Sequence, residues 1–258
     1  MSGKGNTKAL KPVVLITGVS SGIGLAAARQ FLAAGWIVVG TVRRRTTTTA
    51  LGGLQLDLQL ADMLRPRDLE RVVKATWRTY GRLDAMVCNA GYGLLGPVEK
   101  LEYAKMTEQL AVNSLAPAEL IRQAVPLMRR QGYGVIVGMS SIVGRTGVPD
   151  YSLYSASKFA LEGLFESLAM ELMDDGIRFK LVEPSGVNTP FWNKLHDYAP
   201  ANRTLTPEKV AAVVVHAATD RSLRLRYPMG QTWGAGLLRW IMPGRWYLRI
   251  MRRIVSGH

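Results

Sequence analysis

Residues 12–42 read PVVLITGVSSGIGLAAARQFLAAGWIVVGTV. PVVLIT (12–17) is a short, β-branched apolar run that ends in glycine, the composition of a buried strand. Residues 21–34 have the makeup of a helix that Gly35 stops, and WIVVGTV (36–42) is a second apolar strand. Between the first strand and the helix lies TGVSSGIG (17–24). Gly18, Gly22 and Gly24 permit a tight turn and close backbone approach to a ligand. The helix N-terminus adds unpaired N–H groups and the positive end of its dipole, a cradle for a pyrophosphate. A glycine turn that merely ends a strand is the plainer alternative. A strand before it and a helix after it, near the N-terminus, favour dinucleotide binding.

The rest of the chain keeps the alternation going. LQLDL (54–58) reads as a strand, and 66–79 as a helix with Leu69, Val72, Val73 and Thr76 on one face. LDAMVCNAG (83–91) is a strand running into a turn. Residues 102–131 are helical, with Pro117 and Pro126 able to kink or divide them. GVIVGMS (134–140) is a strand, 150–174 a long helix, and IRFKLVEP (177–184) a strand. In TPEKVAAVVVHAATD (206–220), Pro207 follows a Thr206 cap at a helix start. The pattern predicts an α/β fold: a doubly wound, Rossmann-like parallel sheet with helices on both faces. The strands are solidly apolar, as two covered faces require. No repeat or long linker interrupts the chain. Residues 1–258 are expected to form a single dinucleotide-binding catalytic domain, with a basic amphipathic extension from about 231.

Composition narrows the setting. The chain has 258 residues, 48% apolar, and one cysteine, Cys88. No intrachain disulfide can form, which suits a reducing compartment, and a cytoplasmic location is expected. MSGKGNTKALKP (1–12) is too polar for a signal peptide, and no apolar run of about 18 residues exists. His196, His216 and His258 do not cluster with each other or with Cys88, so no metal site is expected. The net charge is +14. It sits in three places: residues 1–12, the triplet Arg43-Arg44-Arg45, and 203–258, where ten basic residues face two acidic ones. No nucleic-acid recognition motif accompanies it, so no nucleic-acid partner is expected.

Tyr154 and Lys158 are four residues apart on the helix at 150–174, so phenol and ammonium share a face. A fixed ammonium favours the phenolate and lowers the phenol from its usual value near ~10. That would make a proton donor and acceptor usable near neutrality. With 9 tyrosines in 258 residues, about a third of one such pair is expected by chance, so the spacing needs company.

The company is an ordered set: Thr17 to Gly24 at the glycine turn, Asp57 after the third strand, and Asn89-Ala90-Gly91 after the fourth. Asn113, Ser141, Tyr154, Lys158 and Pro184 to Thr189 follow. Over roughly 12–230 the chain resembles the short-chain dehydrogenase/reductase family. NAGYGLLGPVE, YSASKFALEGLFESLAMEL and EPSGVNTPF look most like its hydroxysteroid and retinol dehydrogenase branch. Cys88 and Ser185-Gly186 depart from the family's commoner residues without removing a catalytic group.

The resemblance implies that Tyr154 donates a proton to a carbonyl as hydride arrives, that Lys158 lowers the tyrosine and holds the nicotinamide ribose, that Ser141 binds the substrate oxygen, and that Asn113 positions a water for proton relay. Ser140 competes with Ser141, but the thirteen-residue spacing to Tyr154 matches the family for Ser141. The resemblance also implies cofactor contacts from Gly18, Ser20, Ser21, Gly22, Ile23, Gly24, Asp57, Leu58, Asn89, Ala90, Gly91, Pro184, Val187 and Thr189. Asp57 is assigned the adenine amino group. At the end of the second strand GTVRRRTTTT offers no acid for a ribose hydroxyl. Its guanidinium forks suit a 2′-phosphate instead. Arg43, with Arg44, therefore points to NADP(H) over NAD(H).

The expected substrate pocket is apolar: Leu94, Leu95, Val143, Val148, Leu153, Phe191 and Trp192, with Ser141. It fits a hydrophobic ketone, aldehyde or alcohol. The family implies a homodimer or homotetramer through the helices at 102–131 and 150–174. RWYLRIMRRIV (245–255) is amphipathic at helical period. It either packs on the protein or makes peripheral contact with an anionic membrane. A catalytically silent, cofactor-binding scaffold of the same fold is the alternative to an enzyme.

Overall fold

Apolar runs of four to eight residues, separated by helical segments, have only one way to bury both faces: a parallel sheet between two helical layers. The structure, a computed structural model, describes residues 11–44, 51–195, 198, 205–230, 239 and 242–256, the side chains of 194, 251 and 253–256 excepted. Arg45, the threonines 46–49, His196 and most of 231–241 lie outside it. Seven strands, β1 (Val13–Thr17), β2 (Ile37–Val42), β3 (Asp57–Leu60), β4 (Ala85–Cys88), β5 (Gly134–Met139), β6 (Ile177–Pro184) and β7 (Arg226–Met229), form one sheet in the order β3-β2-β1-β4-β5-β6-β7. Every neighbouring pair is parallel.

Helices α1 (Gly22–Ala33) and α6 (Pro207–Thr219) cover one face through Ala27, Phe31, Val210 and Val214. Helices α2 (Pro66–Tyr80), α4 (Ala116–Gln131) and α5 (Ser152–Glu171) cover the other through Leu69, Val73, Leu120, Leu161 and Phe165. Strand order reverses between β1 and β4, so a crevice opens beyond their carboxyl ends.

Local chemistry sets the boundaries. Pro66 opens α2 and Gly81, in the left-handed region at φ 68°, ends it. Thr206 caps α6, accepting the Lys209 N–H at 3.3 Å. The stretch expected as one helix at 102–131 divides into α3 (Tyr103–Leu110), a π-turn at Ala111–Leu115, and α4. Pro117 falls in the first turn of α4, directly after the π-turn, and Pro126 lies inside that helix.

Two strands differ from the sequence reading. β3 starts at Asp57 rather than at residue 54. β7 carries no sustained apolar run. Its sequence RYPM includes Pro228, which an edge strand tolerates.

Candidate active site

The chain turns sharply after β1. Gly18 and Gly22 have φ of 75° and 56°, a region open to glycine at little cost. The Gly18 and Val19 N–H groups donate to the Thr41 carbonyl at 3.1 and 3.0 Å, tying the turn to β2. Gly24 meets a different demand. A Cβ there would stand 2.2 Å from the Gly18 carbonyl oxygen and 2.5 Å from the Asn89 amide nitrogen. α1 thus begins pressed against the turn. Ser21 at its N-cap makes no side-chain capping bond, and no acid occupies the first turn. Neither Ser21 nor a first-turn acid therefore competes with an anionic ligand for this helix start, and a dinucleotide pyrophosphate fits it. Across the crevice, both Thr189 side-chain carbons lie 3.5 Å from where a Gly22 Cβ would be.

Asn89 joins the lips of the crevice. Its Nδ2 donates to the Thr17 and Gly18 carbonyls at 2.8 and 3.1 Å. The Asn89 and Ala90 N–H groups both donate to Thr17 Oγ1 at 3.0 Å. The Asn89 amide nitrogen is committed to shaping the turn.

Asn113, Ser141, Tyr154 and Lys158 come together beyond β4 and β5. A Cβ on Gly91 would lie 3.0 Å from Asn113 Oδ1 and 3.9 Å from Lys158 Nζ. Asn113, buried in the π-turn, accepts the Tyr92 N–H at 3.1 Å and donates to the Tyr92 carbonyl at 2.8 Å and to Ser157 Oγ at 3.1 Å. Ser157 Oγ donates in turn to the Tyr154 carbonyl at 2.7 Å. Lys158 Nζ donates to the Met139 carbonyl at 2.6 Å and lies 5.6 Å from the centre of the Tyr154 ring. Ser141 caps the short turn Ile142–Gly144, and its hydroxyl acts on the Tyr154 phenol, favouring the ionised form. Ser140 is buried under that turn: a Cβ on Gly144 would stand 2.6 Å from its Oγ. Of the two serines, Ser141 is the one beside Tyr154.

The expected lowering of the phenol is reversed. Burial pushes Tyr154 well above the ordinary tyrosine value, and the Ser141 hydroxyl offsets only part of this. Lys158 gives its short hydrogen bond to Met139, not to the phenol. Burial also draws Lys158 down to about 8, against the pull of Glu162.

Arg43 and Arg44 follow β2 directly and are exposed. The Arg43 charge acts on Tyr92, opposing the burial that pushes that phenol up to about 12. Asp57 and Leu58 require correction. Asp57 pairs with Val39, three residues short of the edge where Leu60 meets Val42. Its carboxylate accepts from Tyr80 Oη, at the far end of α2, at 3.2 Å, and Leu58 is exposed mid-strand. Neither is at the crevice. Leu54, Leu56, Leu58 and Leu60 repeat every second residue, so a slip of two leaves the pattern unchanged. The acid just past the carboxyl end of β3 is Asp62, whose Oδ1 accepts the Leu64 N–H at 3.0 Å.

On the substrate side, the Phe191 ring lies 5.7 Å from Tyr154 and 4.8 Å from Trp192. Trp192 Nε1 donates to the Val187 carbonyl at 2.9 Å, anchoring this segment beside Thr189. Ser141 Oγ reaches the Pro184 carbonyl at 3.5 Å. Leu94, Val148 and Leu153 are half-buried, while Leu95, Val143 and Trp192 are buried as support. Sequence reasoning missed Gly93, Gln109, Leu195 and Tyr198. A Cβ on Gly93 would stand 2.8 Å from Phe191 and 3.3 Å from Leu195. Buried Gln109 accepts the Leu94 N–H, and the Tyr198 carbonyl accepts from Tyr151 Oη. They belong to no fixed-spacing motif; the pair Gly93 and Gly96 was the available hint.

The tail forms α7 (Gly244–Ser256). Tyr247 Oη and Thr146 Oγ1 share a hydrogen bond. Arg239 donates to the Arg145 carbonyl at 3.3 Å and stacks 4.8 Å from Phe159. Trp246 and Leu248 are 49% and 68% exposed. No described helix is long and apolar enough to cross a membrane.

Comparison with known proteins shows what the chain is similar to. The family model for short chain dehydrogenases matches residues 12–199. An uncharacterised oxidoreductase of Escherichia coli is 31% identical over 262 residues, covering 97% of this chain and 96% of its own. Human 17-beta-hydroxysteroid dehydrogenase type 1 is 38% identical over 203 residues, 72% of this chain and 60% of its own. A metagenomic short-chain oxidoreductase solved in complex with NADP superposes with a TM-score of 0.73 at 30% identity, covering 85% of this chain and 97% of its own.

Proposed function

The chain belongs to the short-chain dehydrogenase family, and from that premise we propose that it is an NADP(H)-dependent oxidoreductase interconverting a hydrophobic ketone or aldehyde and its alcohol. The observation that carries this reading is the meeting of Asn113, Ser141, Tyr154 and Lys158 beside an uncapped helix start at the switch point of the sheet.

Bound NADPH supplies the hydride. Ser141 Oγ holds the substrate oxygen, and Tyr154 Oη gives it a proton as negative charge develops there. A phenol raised by burial still suffices, because an alkoxide is a far stronger base than a phenolate. The Lys158 ammonium stabilises the phenolate left behind and holds the nicotinamide ribose. Asn113 keeps the relay open toward solvent. The glycine turn, with Ser20, Ser21 and Ile23, takes the pyrophosphate side, and Thr189 and Val187 the carboxamide side. Asp62, in place of Asp57, takes the adenine edge.

Arg43 and Arg44 meet the 2′-phosphate, a reading supported by the NADP complex of the 30%-identical relative. Phe191 and its apolar neighbours, together with a relative named for a hydroxysteroid, support a lipophilic substrate. Exposed Tyr103 on α3, Leu115 on the π-turn before α4 and Met170 on α5 support self-association through α3, α4 and α5.

NADPH consumption across a panel of sterol, retinoid, acyl and small ketones tests the activity. Turnover is expected with the lipophilic members. Tight NADPH binding with no turnover would favour the silent scaffold instead. Titration of both cofactors tests the preference. Arg43→Asp is expected to weaken NADPH binding by about tenfold or more, and tighter NADH than NADPH binding by the native protein would end the NADP(H) reading.

A second reading concerns α7. Residues 221–258 hold eight arginines and no acid, and α7 exposes Trp246 and Leu248 beside Arg245, Arg249 and Arg252. This favours docking on an anionic membrane while Tyr247 holds the helix to the loop after Ser141. Cosedimentation with anionic but not neutral vesicles at low salt is expected; no binding to either removes this reading.

A further inference from the structure

Besides the neutral phenol, Lys158 has a charged neighbour. Glu162 lies one helical turn further along α5, on the same face, and both side chains are buried, at 6% and 5% exposure. Gly144 packs where the two meet. A Cβ there would stand 3.3 Å from Lys158 Cβ, 3.2 Å from Glu162 Cγ and 2.6 Å from Ser140 Oγ. Glu162 is held from behind: Arg226 on β7 donates to its Oε2 at 3.1 Å. Its other oxygen, Oε1, is buried with no hydrogen-bond partner among the described residues, as is Ser140 Oγ. A carboxylate fixed by one oxygen and left open at the other, a turn from a buried lysine, is arranged as a counter-charge.

We propose that Glu162 is a positioning residue for the reaction, the fixed negative charge that keeps buried Lys158 an ammonium. It acts through Lys158 and touches neither substrate nor cofactor. The inference rests on the catalytic role assigned to Lys158 above.

The charged groups around Glu162 come from four elements. Lys158 and Glu166 share its helix. Arg226 reaches it from β7 and also pairs with Glu166 at 2.5 Å and with Glu183 at 3.4 Å. Glu183, on β6, pairs with Arg145 at 3.2 Å, and Arg145 follows the turn after β5. The cluster therefore carries three carboxylates against Lys158 and two guanidinium groups. Deleting Glu162's charge leaves three cations against two carboxylates, with Lys158 among the cations. Burial already draws Lys158 down to about 8 while Glu162 works against it, so removing that charge should draw it lower still.

The test is a pH titration of the Lys158 side-chain resonance in lysine-labelled protein, assigned by its absence in Lys158→Met. Glu162→Gln is expected to move the midpoint down by about one unit or more, whereas Glu166→Gln, at a half-exposed site, should leave it nearly unchanged. With an active substrate, Glu162→Gln should move the alkaline limb of the rate profile the same way, lowering kcat about tenfold above the new midpoint with little change in KM. Should the glutamine variant not fold, Glu162→Met, uncharged and close in volume, takes its place. An unmoved midpoint in either variant overturns the proposal. If the midpoint moves but Lys158→Met keeps full turnover, the catalytic reading of Lys158 fails, and Glu162's place in the reaction fails with it.

Discussion

Asp84 and Glu183 are both buried acids bound to arginines, at opposite ends of the sheet. Asp84, at the amino end, accepts the Val13 N–H at 2.7 Å, Arg82 through both guanidinium edges at 2.7 and 2.5 Å, and Tyr133 Oη at 2.6 Å. Burial works to raise its carboxyl, but these four short bonds hold it below its ordinary value. Glu183, at the carboxyl end, has Arg145 at 3.2 and 3.4 Å and Arg226 at 3.4 Å. Burial and the facing Glu162 push it up to about 7 in spite of both guanidinium groups. The difference teaches where this fold keeps its adjustable charge. At the amino end a saturated carboxylate pins β1 to β4. At the carboxyl end like charges crowd together under long bonds, and protons remain exchangeable near neutrality.

The comparison breaks most sharply by separating chemistry from stability. Tyr154→Phe should cost about a thousandfold in turnover while the melting temperature and NADPH affinity stay near native values; retained turnover would undo the acid–base assignment. Asp84→Ala should do the reverse, costing about 3 kcal/mol by removing the acceptor that the Val13 N–H, Arg82 and Tyr133 share. Chemical denaturation reads it, and the protein that stays folded should keep its kcat. A drop in kcat matching the loss of stability would erase the distinction between the two ends.

Gly24→Ala strikes both. Its Cβ meets backbone at 2.2 Å, so overpacking should cost about 1–3 kcal/mol, and calorimetric titration should show weakened NADPH binding. The smallest effect concerns Glu183 itself. Its folded value, about 7, stands above the ordinary glutamate value. Its contribution is thus fully present below the unfolded value and is lost as pH rises from there through about 7. Asp84, shifted the other way, contributes above its unfolded value and loses that contribution only in acid. Glu183→Gln should flatten the fall in melting temperature between pH 5 and 7.5 by about 2 °C or more; an unchanged slope would place the titration elsewhere.

Much of this was legible because it rests on local signals. The glycine turn, the cap at Thr206 and the strand Ile177–Pro184 are each dictated by residues within a turn of one another. Asn113 was legible by type and position, but not the π-turn that carries it, since no residue pattern marks one extra residue in a helix. β7 was missed because an edge strand need not be apolar. Asp57 was misplaced because alternating leucines carry no register. The tyrosine's shift was misjudged because helical spacing says two groups share a face and nothing about which acceptor the ammonium chooses.

By itself, the sequence determined the layer order, the crevice at the end of β1, and the residue types brought to it, because helix and strand periods and glycine turns are short-range properties. Tertiary structure alone decided which acid stands at the end of β3 and how far burial moves Tyr154, Lys158 and Glu183. Those are properties of packing between segments distant in the chain. A carboxylate's or phenol's charge depends on what surrounds it in space, and that is settled only when the sheet closes.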